Sequence, residues 1–314
     1  MKDLCGQQID GYHVVRLLGR GGMAEVYEVR HDQLGVRRAM KVFTADGERA
    51  ELLKSRFLAE GRLLARLDHP RLVKVHDCGV DEATGQPYLV MDLVMGADGE
   101  PRTLASLHGE RQVTEEKLLG WYADLASALV YIHAAGVVHR DVKPSNILVA
   151  ADGHAVLADF GVSRVSDKGL RKELLIDATM ATDATTLSRI VFGTANYLAP
   201  EVRRGDAATP AADIYALGVT LFRLLTGVWY EPDTNALELL KSFDPAWRRI
   251  FPALLAESPE NRSLPSSHCR LAGGHVSTFA WIAVACVLVI AGWLAWSLRD
   301  VPPERSIDEI FFVP

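Results

Sequence analysis

The sequence predicts an α+β protein of two lobes, followed by one transmembrane helix. Up to Val94 short β-rich runs alternate with turns around a single helical pattern, which is typical of a small β-rich lobe. From Glu115 onward the apolar residues recur mostly at helical spacing, which predicts a mostly helical second lobe. A long uncharged apolar run then predicts a membrane span at 276–298.

The first lobe is predicted to cover residues 8–95. A glycine turn separates its first two β-rich runs, which predicts a hairpin. The helical pattern that follows the third strand ends just before His69-Pro70, where a proline disfavours helical backbone at the residue before it. The predicted strands are Tyr12–Leu18, Glu25–Val29, Arg38–Phe43, Leu72–Val75 and Tyr88–Met91, and the predicted helix is Leu52–Leu67.

The second lobe is predicted to cover residues 96–270 and to begin with a polar, glycine-containing link. Its helices are predicted at Glu115–Ala135, Ala211–Leu225 and about Pro245–Ala256. The remaining domain boundaries are 276–298 for the transmembrane helix and 299–314 for a short extracytoplasmic tail.

Composition and charge exclude some classes of function. The net charge of −6 and the isoelectric point of about 5.9 give no basic surface of the kind that a nucleic-acid backbone requires. The four cysteines contain no C-x-x-C pair, so a structural zinc site and a disulfide framework are both disfavoured. Because the charge gives no basic surface, we expect no nucleic-acid partner.

The glycine turn of the first hairpin contains Gly19, Gly21 and Gly22. Glycines let a backbone approach phosphate groups closely, although a plain hairpin turn is the commoner explanation when they are considered alone. Lys41, in the third predicted strand, could reach the phosphates of a bound nucleotide. Glu60, on the following helix, is the acid expected to hold that ammonium in place.

Two short stretches in the second lobe have the composition that phosphoryl transfer requires. They are the run from His139 to Asn146 and the triplet Asp159-Phe160-Gly161. In-line transfer of a γ-phosphoryl group needs little covalent help but close placement of metal, nucleophile and charge.

Each of these parts has a candidate residue. Asp141 would accept the proton of the acceptor hydroxyl, and Lys143 would neutralise charge on the γ-phosphate. Asn146 and Asp159 would hold Mg²⁺, because that ion prefers hard oxygen ligands.

Residues from about Gln8 to Arg262 resemble the eukaryotic-type (Hanks-type) protein kinases, and the sequence Gly21-Gly22-Met23 resembles their bacterial branch. Lys143, two residues after Asp141, is the family's mark of Ser/Thr specificity. The resemblance implies the bilobal protein-kinase fold, a Ser/Thr protein kinase activity with protein substrates, and ATP with Mg²⁺ (Mn²⁺ as an alternative) as cofactors. Further matches are Gly193-Thr194, Ala199-Pro200-Glu201 and Asp213 to Gly218.

The same resemblance implies the remaining site residues. Met91 would border the adenine pocket as gatekeeper, with backbone groups of Asp92 and Val94 bonded to adenine. The full ATP-binding set would be Leu18, Gly19, Gly21, Gly22, Val26, Ala39, Lys41, Met91, Asp92, Val94 and Leu148. A hydrophobic spine linking the lobes would contain Leu64, Val75, His139 and Phe160. Structural roles would fall to Arg140, Thr194, Glu201, Asp213 and Arg262, with Glu201 and Arg262 forming a buried ion pair.

The segment 162–198 is expected to regulate the enzyme by autophosphorylation in trans, for which a homodimer is the candidate partner. Arg140, next to Asp141, would receive the phosphate in a basic pocket. A loop that is merely threonine-rich and polar is the alternative. The candidate phosphosites are Thr179, Thr182, Thr185, Thr186 and Ser188.

Some features depart from the family pattern. Ala24 stands where a third loop glycine is common, and the chain from Gly227 to Arg262 is short, with no final helix evident after it. A trimmed second lobe would affect docking of protein substrates more than phosphoryl transfer. Two alternatives remain: a catalytically weak ATP-binding scaffold (pseudokinase) of the same fold, and a small-molecule kinase.

The apolar run predicts an anchor in the membrane lipid bilayer. Its centre, from Phe279 to Trp296, has 18 residues without a charge, enough to cross the hydrocarbon core. Arginines balance on the two sides of the run, so the positive-inside rule gives no orientation. Because ATP is cytoplasmic, we expect a single-pass protein of the inner membrane with its kinase domain in the cytoplasm.

Overall fold

The computed structural model describes residues 4–21, 24–44, 50–160, 196–232 and 235–265. These residues form a bilobal fold, with a curled sheet in the first lobe and helices in the second, as the sequence predicts.

The first lobe is built on a six-stranded antiparallel sheet in the order β1-β2-β3-β4-β6-β5. One face packs on an apolar cluster that includes Tyr27, Met40 and Val90, all fully buried. The strands are β1 (Gln8–Ile9), β2 (Tyr12–Arg20), β3 (Ala24–His31), β4 (Arg37–Phe43), β5 (Val75–Val80) and β6 (Pro87–Met91).

Helix α1 (Ala50–Leu64) packs on this sheet through Phe57, which joins Phe43 and Leu89 in a small buried cluster. The helix ends three residues before the predicted Leu67. The strand predicted at Leu72–Val75 is wrong except at its last residue, because β5 begins at Val75. Upstream of it, the amide of Val73 donates to the carbonyl of Leu157 in the second lobe, so this run connects the lobes rather than extending the sheet.

The second lobe is organised around two long helices, α3 (Glu115–Ala134) and α5 (Pro210–Thr226). Thr114 caps α3 by accepting a hydrogen bond from the amide of Lys117, and Pro210 at the first turn of α5 sacrifices no helical hydrogen bond. Gly227 ends α5 with φ 74°, a left-handed conformation that glycine adopts without strain. Both helices bury apolar faces in one large core, as their helical periodicity predicts.

Shorter elements complete the lobe. Three short helices and one hairpin have too little periodic sequence to be predicted. They are α2 (Leu104–Gly109), α4 (Pro200–Arg203), α6 (Ala236–Leu239) and the hairpin of β7 (Ile147–Val149) and β8 (Ala155–Leu157). Helix α7 (Trp247–Leu254) lies within the predicted Pro245–Ala256. Single 3₁₀ turns occur at Pro144–Asn146, Leu240–Ser242 and Pro259–Asn261.

The predicted membrane span at 276–298 and the tail at 299–314 lie outside the described residues. Within the described ranges, no helix combines the length and the apolar character that crossing a bilayer demands.

Candidate active site

A cleft between the lobes brings together most of the predicted site residues. Strand register places Val26, Lys41 and Leu89 directly opposite one another on β3, β4 and β6. Residues opposite one another in antiparallel strands share a face of the sheet. This face therefore presents Lys41 to the cleft, where the ammonium contacts residues of the second lobe.

Lys41 forms an ion pair across the cleft with Asp159. Its Nζ lies 2.5 Å from Oδ1 of the carboxylate, and its side chain is only 19% exposed. Glu60, the predicted partner of Lys41, belongs to helix α1, but its side chain is outside what the structure describes, so that pairing stays a prediction.

The backbone of Asp159 adopts φ 59°, a left-handed conformation that is uncommon for a residue with a side chain. Residues held in such conformations cluster at functional sites, where the surrounding structure enforces them. Partial desolvation in the cleft acts to raise the pKa of Asp159, but the charge and hydrogen bond of Lys41 outweigh it and lower the pKa below its ordinary value. The carboxylate is therefore ionised at neutral pH.

Asp141, the predicted proton acceptor, is held by two neighbours of the same loop. Its Oδ2 lies 2.8 Å from Nζ of Lys143 and accepts a hydrogen bond of 2.9 Å from Nδ2 of Asn146. The amide of Asn146 also donates to the carbonyl of Asp141 and, at 3.4 Å, to that of Asp159. Asn146 thus links the residue predicted to accept a proton to the residue predicted to bind metal.

The same contacts test whether a divalent cation suits this site. Nδ2 of Asn146 donates to Asp141 and Asp159, so Oδ1 is the atom that could face a cation, and it also accepts a hydrogen bond of 3.2 Å from Oγ of Ser145. The side chain of Asp159 is 45% exposed, and its carboxylate supplies a charged oxygen. Mg²⁺ is usually bound by one or two protein oxygens together with phosphate oxygens, so the two residues fit that ion.

The loop that carries Asp141 is fixed from below by Asp213 of helix α5. The carboxylate of Asp213 accepts hydrogen bonds from the amides of His139 (2.8 Å) and Arg140 (2.7 Å), and it is almost fully buried. Arg140 has φ 68°, so the loop is held in a conformation that its own backbone disfavours. This is the geometry expected of the structural role predicted for Asp213.

The contact between His133 and Asp213 was not predicted from the sequence. Nε2 of His133 lies 2.8 Å from Oδ2 of Asp213, although the two residues are 80 positions apart. Nothing in the spacing or composition near His133 distinguishes it from an ordinary histidine in the last turn of a helix.

His139 contacts Phe160 and packs in the interior of the cleft, with ring centroids 4.5 Å apart. Burial lowers the pKa of His139, so the imidazole is neutral at physiological pH. Leu64 and Val75 lie in the same buried cluster as Phe160 and line the same cavity between the lobes. The four side chains predicted to link the lobes therefore occupy one continuous apolar region.

The link between the lobes begins at Met91, which is partly buried and lines the same cavity. The amide of Asp92 donates to the carbonyl of Lys74, so only the carbonyl of Asp92 is left for the predicted contact with adenine. Val94 follows in an irregular stretch where its backbone is not part of a strand.

The structure describes all of the other predicted nucleotide-binding residues except Gly22. The amide of Gly21 donates to the carbonyl of Ala24 and closes the turn between β2 and β3, while Gly22 lies outside the described residues. The remaining members lie on strands: Leu18 and Gly19 on β2, Val26 on β3, Ala39 on β4 and Leu148 on β7.

The predicted ion pair between Glu201 and Arg262 is present. Arg262 donates to both carboxylate oxygens, at 2.7 and 2.9 Å, and its side chain is fully buried. Its guanidinium also lies 4.8 Å from the ring centroid of Tyr215. Burial acts to raise the pKa of Glu201, but the hydrogen bonds from Arg262 prevail and lower it.

Residues 161–195 lie outside the described part of the chain. Predictions for that stretch therefore stay predictions: the phosphosite candidates Thr179, Thr182, Thr185, Thr186 and Ser188, and the structural role of Thr194.

Comparison with known proteins identifies this arrangement. The family model for the protein kinase domain matches residues 12–270. The serine/threonine-protein kinase PknH of Mycobacterium tuberculosis is 39% identical over 222 residues, which cover 71% of this chain and 32% of PknH. The probable serine/threonine-protein kinase PknB of Lactococcus lactis is 33% identical over 254 residues, covering 80% of this chain and 36% of the relative.

Solved structures agree with these relatives. A crystal structure of the PknI kinase domain of Mycobacterium tuberculosis is 29% identical and superposes with a TM-score of 0.58, covering 82% of this chain and 93% of that domain. The match is thus to a nearly whole kinase domain, while the chain spans about a third of the length of the curated relatives named above.

Proposed function

Because the chain belongs to the protein kinase family, we propose that it is an ATP-dependent Ser/Thr protein kinase. It would transfer the γ-phosphoryl group of ATP to Ser or Thr hydroxyls of protein substrates, with Mg²⁺ as the metal cofactor. The observation that carries this proposal is the position of Asn146, which donates hydrogen bonds to Asp141 and to the carbonyl of Asp159.

In this mechanism the protein supplies placement and charge more than covalent chemistry. The carboxylate of Asp141 accepts the proton of the acceptor hydroxyl as the hydroxyl oxygen attacks the γ-phosphorus, and the bond from that phosphorus to the β-phosphate oxygen breaks to release ADP. Lys143, 2.8 Å from Asp141, lies where its ammonium offsets the negative charge of the transferred group. Lys41, on the sheet of the first lobe, positions the α- and β-phosphates. Asn146 and Asp159 would hold Mg²⁺, which would supply positive charge to the phosphate oxygens.

The chief alternative is a catalytically weak ATP-binding scaffold of the same fold, since fold alone does not establish activity. Against it, Lys41, Asp141, Asn146 and Asp159 are all present, and their side chains approach one another within hydrogen-bonding distance. A small-molecule kinase is disfavoured by Ala199-Pro200-Glu201, a match to protein kinases in which Glu201 is tied into the core by Arg262.

Incubation with radiolabelled ATP, Mg²⁺ and a generic basic protein substrate tests the proposal, with Asp141→Asn as the control. Label on Ser and Thr well above the Asp141→Asn background would support the kinase. Transfer equal to that background, together with retained nucleotide binding, would favour the scaffold instead.

We propose further that the enzyme is activated by autophosphorylation in trans within 162–198, with Arg140 as the cation that receives the phosphate. The backbone amide of Arg140 donates a hydrogen bond to the carboxylate of Asp213, which holds Arg140 next to Asp141, so a phosphate bound there would be close to the catalytic loop. Mass spectrometry of active enzyme that finds this segment unmodified would remove the idea.

Residues 276–298 are proposed as a membrane anchor that keeps the kinase domain at the cytoplasmic face. The support is the 18-residue uncharged run and the indole side chains near both of its ends. Carbonate extraction of the membrane fraction provides the test. The full chain should stay with the membranes, while deletion of 276–298 should release it.

A further inference from the structure

A buried carboxylate on strand β3 pairs with two arginines. Glu28 of β3 has a side chain only 4% exposed, and its two oxygens lie 2.9 Å from Nε of Arg16 and 2.6 Å from Nη2 of Arg37. Burial acts to raise the pKa of Glu28, but the hydrogen bonds from both arginines outweigh it and lower the pKa. The predicted mechanism gives none of these three residues a role.

Strand register shows on which face of the sheet this group lies. Glu28 is directly opposite Ala39, and Ala39 is directly opposite Met91. Ala39 and Met91 are two of the predicted ATP-binding residues, and Met91 borders the predicted adenine pocket, so Glu28 continues the same row of side chains beyond the pocket. Arg16, opposite Glu28 on β2, belongs to this row too, two residues before Leu18.

Arg16 also reaches the second lobe. Its Nη1 lies 2.8 Å from a carboxylate oxygen of Glu100, which belongs to the link between the lobes, 84 positions along the chain. One guanidinium thus bridges the buried Glu28 of the sheet and Glu100 of the link. Because the contact with Glu28 already fixes Nε of the Arg16 guanidinium, the side chain loses little additional conformational freedom when its Nη1 pairs with Glu100.

The part of the link that carries Glu100 is itself ordered by local contacts. The amide of Gly96 donates to the carbonyl of Glu100 at 2.8 Å, and Asp98 accepts from both the amide of Glu100 and the guanidinium of Arg102. A Cβ added to Gly96 would come within 2.8 Å of the Arg102 side chain. Glu100 is therefore presented by a tight turn at a defined distance from β2.

We propose that Arg16, Glu28 and Glu100 form an ionic closure across the mouth of the adenine pocket that slows release of the bound nucleotide. The proposal rests on the nucleotide binding assumed in the proposed function. Opening the cleft requires β2 to move away from the link, and the Arg16–Glu100 contact must break for that to happen. Arg16 and Glu100 are thus positioning residues, since they act on the nucleotide through the lobes.

The exposure of the bridge sets the size of the effect. Arg16 is 40% exposed and Glu100 54%, so water and salt screen the contact. Contacts of this kind contribute modestly, and a loss of about 2- to 5-fold in nucleotide residence time is expected when the bridge is removed. The contribution should also disappear as salt approaches ~1 M, where screening acts over ~3 Å.

Dissociation of a fluorescent ADP analogue from the purified full chain measures this directly. Glu100→Gln should release the analogue about 2- to 5-fold faster than the wild type at low salt, and Glu100→Arg, which opposes Arg16, faster still. The double variant Arg16→Met/Glu100→Gln should release it no faster than the faster of Arg16→Met alone and Glu100→Gln alone, because the two substitutions remove the same ion pair. Glu110→Gln is the matched control: Glu110 pairs with Arg102 of the same link but not with β2.

Equal dissociation rates for wild type and Glu100→Gln at low salt would overturn the closure, as would a difference that persists unchanged at ~1 M salt. Failure of the kinase proposal has another signature, namely retained ADP binding without phosphoryl transfer. If the wild type binds no ADP analogue at all, both proposals are wrong.

Discussion

Nζ of Lys41 and Oδ1 of Asp159 lie 2.5 Å apart, joining the sheet of the first lobe to the segment that follows β8. The two residues are 118 positions apart in the chain, and each neutralises the other across the cleft. They are also the groups predicted to contact phosphate and metal, so one contact couples the geometry of the lobes to the chemistry.

Replacement of Lys41 by methionine should reduce the rate of phosphoryl transfer by at least about 100-fold. The reason is that the phosphates lose the fixed positive charge of Lys41 both in the bound nucleotide and in the transition state. Met preserves most of the side chain's length and apolar stem. Initial-rate assays with labelled ATP measure the effect. Lys54→Met provides the control, because Lys54 lies on α1 and forms a local ion pair with Glu51. A Lys41→Met enzyme with near wild-type kcat would contradict the assignment.

Asp213→Asn should lower kcat about 10- to 100-fold while changing the KM for ATP by less than about 3-fold. The carboxylate accepts amide hydrogen bonds on both oxygens, whereas an amide side chain offers one oxygen and turns its NH₂ toward a second donor. A buried donor left without an acceptor costs about 1–3 kcal/mol and should displace the loop that carries Asp141. Steady-state kinetics separate the two parameters, and a rise in KM with kcat unchanged would argue against this role.

Short motifs predicted which residues meet in the cleft more completely than periodicity predicted the fold. Each predicted role requires one kind of side chain, and short sequence spacing is enough to identify the candidates. These candidates are Lys41, Asp141, Asn146 and Asp159. In contrast, His133 reaches Asp213 only because α3 and α5 pack side by side, and nothing in the local sequence encodes that contact.

Element boundaries followed the same logic. Helices α3 and α5 were predicted to within about a residue of their ends, because each has an apolar face repeated over four or more turns. The run from Leu72 was misassigned as a strand, since β-branched residues there serve the contact between lobes through Val73 and Leu157. Tertiary contacts, not local propensity, decided its conformation.

Arg262→Met should lower the free energy of unfolding by about 3–5 kcal/mol, because it leaves the buried Glu201 carboxylate without its partner. Arg262→Lys should recover only part of this, since an ammonium cannot make the two parallel bonds to Glu201 together with those to the carbonyls of Ala256 and Glu257. Chemical denaturation followed by tryptophan fluorescence measures each variant. Equal stability of Arg262→Met and wild type would show that the pair contributes little.

The same pair predicts a pH dependence for wild type relative to Glu201→Gln. The pKa of Glu201 is lowered in the folded state from its ordinary 4.5, so its ionised form is favoured by folding. The stability it contributes is fully present above about pH 4.5 and is lost as the pH falls through the lower folded-state value. When unfolding free energies are measured from pH 7 to pH 3, the difference between the two proteins should therefore narrow as the pH falls below about 4.5. A constant difference over that range would contradict the lowered pKa.

Two helical glycines should respond to alanine in opposite directions. A Cβ at Gly61 of α1 would come within 2.2 Å of Leu89 and 3.3 Å of Cys78, whereas one at Gly120 of α3 would meet nothing within 4 Å. Gly120→Ala should therefore stabilise the protein by about 0.5–1 kcal/mol, the helix-propensity gain, and leave activity unchanged.

Gly61→Ala should instead lower the free energy of unfolding by about 1–3 kcal/mol, the typical result of overpacking a buried contact. Since Leu89 lies opposite Lys41, the added methyl should also push α1, with Glu60, away from the sheet and reduce kcat. Removing the clashing atoms with Leu89→Ala should restore part of the activity in the double variant, although Leu89→Ala alone is destabilising. Thermal unfolding and phosphoryl-transfer rates of the four proteins form the cycle. Additive losses, with no recovery of kcat in the double variant, would mean that close packing at Gly61 does not set the position of α1.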